Sequence, residues 1–278
     1  MNSKLKYATI ADIGIYDIFF YDIKKEAELV TFCKQEGISF LPSKNRKQLY
    51  KLVEDRFILH ELSPELCIKP YERIFEQDTL KKFKALNHNE IHFIVEDDLI
   101  KGVVHIIDYN SEFIQVELYR VLFKFEVQLR ELLVRKNFTN EDFIEWVTNK
   151  VESEKDNNSR KFWLSRLDQL LPKDPKKMKD VIIKRKEFKP FQTFYLSELL
   201  RFAFDKKVID RSKIDLDKIT SLRNQVAHSN NLTTYTNEEG QLIYNYDNLS
   251  IYVERINAFF RAYDYLLIKI DMDYMSSK

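Results

Sequence analysis

Leu222-Arg223-Asn224-Gln225-Val226-Ala227-His228 is the stretch on which the reading of this chain turns. It lies within residues 215–232, DLDKITSLRNQVAHSNNL, and its pattern predicts a short helix ended by the breaker Ser229-Asn230-Asn231. Asn224 and His228 are four residues apart and so share one helical face. Arg223 stands about 140° around the helix from His228, at 3.6 residues per turn, which a long guanidinium can bridge near a helix end. Ile219, Leu222 and Val226 mark the opposite, apolar side. Histidine takes or gives a proton near neutral pH, and arginine stays charged and forks onto a phosphate. Those parts suffice for internal phosphoryl transfer in RNA, in which a 2′-hydroxyl attacks its own phosphate without a metal. The bland alternative is that the dipole alone favours a histidine at a helix C-terminus.

LRNQVAHSNNL resembles the signature of the HEPN superfamily, Arg-x4–6-His with a polar residue directly after the arginine; Arg223, Asn224 and His228 match it. The resemblance spans residues 111–278. Phe123-Lys124-Phe125-Glu126-Val127-Gln128-Leu129-Arg130-Glu131-Leu132-Leu133 resembles the family's first helix, whose Glu-x3-Arg pair, here Glu126 and Arg130, is structural rather than catalytic. The resemblance implies a metal-independent endoribonuclease of toxin or antiviral-defence kind, with Arg223, Asn224 and His228 as catalytic residues and no required cofactor. It also implies 2′,3′-cyclic phosphate ends and a homodimer that puts two motifs into one cleft. The second class open to such a chain is a non-catalytic scaffold binding RNA or protein. An antitoxin or other protein is a further expected partner. Asn230 stands where some toxin members carry Tyr in Arg-x4-His-x-Tyr.

Length and composition bound the rest. A chain of 278 residues leads us to expect two domains. With 15 Tyr and 21 Phe it can fill a large core, and 4 Gly with 6 Pro argue for regular structure. A net charge of +1 excludes a generic polyanion binder. The N-terminus MNSKLKYATIADIG lacks an apolar signal-peptide core, and no apolar run approaches membrane-spanning length. Cys33 and Cys67 have neither metal nor redox spacing, so a cytoplasmic location is expected. The five histidines form no metal-binding cluster, and no metal is expected.

The pattern divides near residue 110, giving expected domains 1–110 and 111–278. The first alternates helices and strands: a helix over 22–36 ending at Gly37, strands over 38–42 and 48–53, a helix over 78–87, and strands over 91–95 and 99–107 around the turn Glu96-Asp97-Asp98. Ile38-Ser39-Phe40-Leu41 and Ile91-His92-Phe93-Ile94 superpose at an offset of 53 residues, an internal repeat. This half resembles a tandem CBS-domain pair. Gly102-Val103-Val104-His105-Ile106-Ile107-Asp108 is similar to that family's Gly-h-h-Ser/Thr-x-x-Asp, with His105 replacing the Ser/Thr. The resemblance implies an adenosine nucleotide as regulator, with Asp108 on the ribose hydroxyls and His105 beside the phosphate path. The alternative is that Asp108 caps the helix starting near Ser111 and the pair is a dimerisation scaffold. The expected fold class is therefore α+β: an α/β CBS pair, then an all-α HEPN bundle with a small hairpin.

From residue 111 onward the pattern is helical, over 111–136, 141–153, 159–171, 193–205 and 247–274, with a surface hairpin in 233–247. The first of these is continuous across the inferred boundary and predicts a rigid connection. Aromatics recur on single stripes and read as core. Residues 173–189, KDPKKMKDVIIKRKEFK, carry eight basic and three acidic residues. Pro175 and the following Pro190 predict an irregular connection. Lys176, Lys177, Lys184, Arg185 and Lys186 are candidate RNA-backbone contacts, against the bland reading of a solvated loop.

Overall fold

The computed structural model describes residues 4–84, 91–228, 233–236, 239–240 and 242–276. The fold is mixed α+β. It forms two compact units: residues 1–120 with 222–257, and residues 121–221 with 258–278. The sequence division at 110 lies ten residues before the chain first leaves unit 1, and the later return of 222–257 has no counterpart in it.

Unit 1 opens with α1 (Ile10–Ile13) and α2 (Glu26–Gln35), followed by the antiparallel meander β1 (Phe40–Pro42), β2 (Leu49–Val53) and β3 (Arg56–His60). A second sheet follows: β4 (Cys67–Ile68), then α3 (Gln77–Phe83), then β5 (His92–Glu96) parallel to β4, and β6 (Leu99–Val104) antiparallel to β5. The first half repeats this order, because Tyr21 bridges Ser43 in parallel, α2 crosses between them, and β1 pairs antiparallel with β2. Phe40 and Phe93, equivalent at the 53-residue offset, meet edge to face with ring centroids 6.1 Å apart. The halves then diverge. The β2–β3 turn is made by Glu54 and Asp55, with Glu54 at φ 53, while β6 runs into a 3-10 helix over Ile106–Asn110. Asp97 and Asp98 both have positive φ, 51 and 58, as a tight two-residue turn between twisted strands requires.

Leu49, Phe93, Val95 and Ile100 form one core cluster that joins the two sheets, and Val30, Cys33, Leu41 and Phe57 form another under α2. Gly102 is fixed by backbone crowding: a Cβ there would sit 2.4 Å from the carbonyl oxygen of Ile15, whose strand bridge to Val103 is closed by hydrogen bonds of 2.8 and 2.9 Å.

Unit 2 holds most of α4 (Glu112–Arg135), all of α5 (Asn140–Ser153), α6 (Asn157–Leu170), α7 (Pro175–Glu187) and α8 (Leu196–Asp205), and the start of α9 (Leu216–Ala227). After α9 come β7 (Thr234–Thr236) and β8 (Leu242–Tyr244), a two-stranded hairpin in unit 1, and α10 (Tyr246–Ser276), whose second half belongs to unit 2. The unit 2 core is aromatic. Phe143 stacks on Phe194 at 3.9 Å, and Phe125 lies against Phe259 at 5.5 Å. A buried ion pair crosses it: Arg166 Nε and Nη2 donate to Glu198 at 2.6 and 3.0 Å, and Nη2 also reaches the Thr193 carbonyl.

The irregular connection expected over 173–189 is instead the helix α7. Pro175 occupies its first position, where the missing N–H is no loss, and Asp174 accepts from the amides of Lys176 and Lys177 at 2.8 and 3.3 Å. Lys184, Arg185 and Lys186 fall in the last turn, where the dipole favours cations. No residue of α7 is fully buried, and its short apolar stripe, Met178, Val181 and Ile182, is outweighed by the charge around it.

The Ser229-Asn230-Asn231 breaker, the end of the helix expected to reach residue 87, and Asn237 and Glu238 of the hairpin turn lie outside the described residues. Among the described residues no helix is long and apolar enough to cross a membrane.

Candidate active site

The helix that carries the motif is set from its first turn. Asp215 accepts the Lys218 amide at 3.1 Å through its side chain, and its carbonyl accepts from Ile219 at 3.1 Å. The hydrogen bond donated by the Lys218 amide holds the Asp215 carboxyl below the usual range. Ile219 and Leu222 are fully buried, which fixes the rotation of α9. Asn224 and His228 are exposed, and Arg223 is half-buried. The His228 amide donates to the Asn224 carbonyl at 3.1 Å, so the two side chains stand one turn apart where the helix ends. The structure thus brings Arg223, Asn224 and His228 together on one accessible helix end.

Arg255, on α10, was not singled out in the sequence. Its Nη1 donates to Gln225 Oε1 at 2.8 Å, inside the motif and three residues from His228. Arg255 is half-buried and makes no ion pair among the described residues. It places a second guanidinium beside the motif helix. Only the fold, which pairs α10 with α9 in unit 1, could reveal it.

Asp108 and His105 also come together, but on each other. The His105 amide donates to Asp108 Oδ2 at 2.7 Å, and the His105 Nδ1 accepts the Ile107 amide at 3.1 Å. This is a capping box on the 3-10 helix over Ile106–Asn110. Burial pushes the Asp108 carboxyl up to about 6, against the lowering effect of the His105 amide. The His105 ring meets the Tyr244 ring of β8 edge-on at 5.6 Å. Asn110 donates to Thr233, a fully buried residue just before β7. Thr233 is only five residues past His228, so their Cα atoms are at most roughly 18 Å apart.

Lys176, Lys177, Lys184 and Lys186 are exposed along α7. Arg185 is half-buried, donates to the Leu170 carbonyl at the end of α6, and has its pKa drawn down by burial. It acts as a helix cap. The Glu126–Arg130 pair is likewise internal, at 3.0 Å, with Arg130 Nε donating to the Phe191 carbonyl at 3.2 Å. Among the described residues no three His, Cys, Asp or Glu side chains converge into a metal-ligand set.

Compared with known protein families, curated proteins and solved structures, the chain finds no match.

Proposed function

We propose that this chain is a metal-independent endoribonuclease of toxin or antiviral-defence kind, with Arg223, Asn224 and His228 as its catalytic residues. The observation that carries the reading is the exposure of Asn224 and His228 on one face of a helix end whose other face is fully buried at Ile219 and Leu222. A histidine that filled the core would be buried, whereas His228 is open to a substrate.

One histidine takes the proton of the 2′-hydroxyl as its oxygen bonds to the adjacent phosphorus. The bond from phosphorus to the 5′-oxygen then breaks, and an acid returns a proton to that oxygen. The products are a 2′,3′-cyclic phosphate and a 5′-hydroxyl. Arg223 neutralises the charge that builds on the non-bridging oxygens, and Asn224 orients the phosphate. One chain supplies one motif histidine, so base and acid together call for a second copy. Val116 and Tyr119, exposed at i and i+3 on the unit 1 part of α4, support self-association. An adenosine nucleotide at residues 105–108 is the regulator that accompanies this reading.

Purified protein is to be incubated with RNA in EDTA and the ends analysed. Cleavage leaving cyclic phosphate, and its loss by about 10²-fold or more in His228→Ala, is the expected result. Cleavage at the parental rate in His228→Ala removes His228 from the mechanism. No cleavage by the parent favours the binding scaffold.

A further inference from the structure

Unit 2 contains a cavity of about 100 Å³ between α5, α6, α8 and the start of α9. Its charges are unevenly satisfied. Asp205 accepts from Lys150 Nζ at 2.8 Å and from Trp146 Nε1 at 2.8 Å. Glu154, which ends α5, accepts the amides of Lys155 and Asp156 at 3.1 and 3.2 Å. Both carboxylates of the wall are thus engaged by protein donors. The two arginines of the wall are not matched in this way. Arg201 on α8 and Arg211 on the 3-10 helix over Arg211–Lys213 make no side-chain hydrogen bond or ion pair among the described residues. Arg211 is felt by Asp205, whose carboxyl is held below the usual range by Lys150 and Trp146, with Arg211 adding to the effect.

Two guanidiniums without a protein acceptor that line one concavity can both fork onto a tetrahedral oxyanion. A water takes about 30 Å³ of liquid, so the cavity has room for a group of a few heavy atoms and not for a whole nucleotide. Trp163, Phe204 and Leu216 give it an apolar side. We propose that Arg201 and Arg211 bind a phosphate group in this cavity, free or at the end of a small organic phosphate whose apolar body rests on Trp163 and Phe204. The site is independent of Arg223 and His228 and does not rest on the ribonuclease reading.

Of the chain's two tryptophans, Trp163 lines this site and Trp146, which donates to Asp205, lies behind it, their rings 5.2 Å apart. Intrinsic fluorescence of the full chain therefore reads it directly. Inorganic phosphate and phenyl phosphate are to be titrated at constant ionic strength, with chloride as the control anion. A saturating change is expected with both, and tighter binding of phenyl phosphate identifies an organic phosphate as the better ligand. Equal affinity identifies the free ion. Each of Arg201→Ala and Arg211→Ala is expected to weaken binding by about tenfold, and the double lysine variant to retain part of it. Both arginines are exposed, so the variants should keep the parental circular dichroism. No response to either phosphate at about 10 mM, an equal response to chloride, or parental binding by the double alanine variant would each overturn the proposal.

Discussion

Arg255 Nη1 and Gln225 Oε1 are joined at 2.8 Å, which ties α10 to the motif turn of α9. A neutral amide engages only part of a guanidinium, and the remaining donors are left for a phosphate. Arg255→Ala is expected to slow RNA cleavage by about tenfold, with Arg255→Lys in between and the melting temperature within a few degrees of the parent. Single-turnover cleavage beside a melting curve checks this. An unchanged rate with lowered stability would reduce Arg255 to a helix tie.

Phe191 is held in the left-handed region at φ 62 with its ring fully buried. Its amide donates to Asn140 Oδ1 at 2.8 Å, and its carbonyl accepts from Arg130 Nε at 3.2 Å. Left-handed backbone costs a non-glycine residue about 1–2 kcal/mol, which these clamps offset. Asn140→Ala and Arg130→Ala are each expected to lose about 1–3 kcal/mol in urea unfolding. The double variant should lose less than the sum, because both act on one residue. Strict additivity would show that the clamps are independent.

A buried histidine and a half-buried carboxyl in unit 1 pull stability in opposite directions with pH. His92 is 1 % exposed, and its ring nitrogens lie near the backbone of Lys82 and Leu66 without hydrogen-bond geometry. Burial lowers its pKa, so below about pH 6.5 the unfolded chain binds the proton more readily and stability falls as pH drops. Asp108 is pushed up to about 6, so its contribution is present at low pH and lost as pH rises through 6. Urea midpoints between pH 4 and 7.5 should decline less on the acid side in His92→Leu. In Asp108→Asn they should lose the opposing slope. Parallel curves for parent and His92→Leu would mean that the ring takes its proton as readily folded as unfolded.

The four exposed lysines of α7 and its arginine should separate in experiment. Replacing Lys176, Lys177, Lys184 and Lys186 by Gln is expected to weaken RNA binding and to lower the log–log salt slope by roughly 2–3, at about 0.7 per phosphate contact for single strands. Arg185→Ala should instead destabilise unit 2, since it frees the Leu170 carbonyl. An unchanged salt slope in the lysine variant identifies α7 as a solvated helix.

A nucleotide at Asp108 has to compete with the His105 amide, and that exchange reaches Tyr244 and Thr233 through the contacts of residues 105–110. Calorimetry with AMP, ATP and S-adenosylmethionine is expected to give heat in the parent and none in Asp108→Ala. Tyr244→Ala should leave binding in place and weaken its effect on cleavage. No heat with any of the three leaves residues 102–108 a structural turn.

Much of the local structure was legible. The helical pattern over 111–136 marked α4 within a residue at each end, and the Glu96-Asp97-Asp98 turn marked the β5–β6 hairpin. The motif's exposure was legible too, because Ile219 and Leu222 dictated which side of α9 is buried. The failures had three causes: a local signal open to two readings, an element too short to show a pattern, and contacts made only by the fold. Pro175 was read as a breaker when it is a helix start, and β4, two residues long, was too short for any periodic signal. Gly102 and Asp108 drew attention as a ligand motif, yet Ile15 explains the glycine and the His105 amide engages the carboxylate. Arg255 needed the tertiary pairing of two helices separated by a hairpin.

Unit 1 is discontinuous: its first 120 residues wait for residues 222–257. At about 5–20 residues per second, the ribosome spends roughly 5–20 s on the intervening hundred residues. Throughout that interval the nascent chain has neither Arg223 nor His228, and Arg255 is still unmade when both have appeared. For the ribonuclease proposed above, the message and the ribosome producing it would meet no complete motif until the chain has passed residue 228, and no Arg255 until later still.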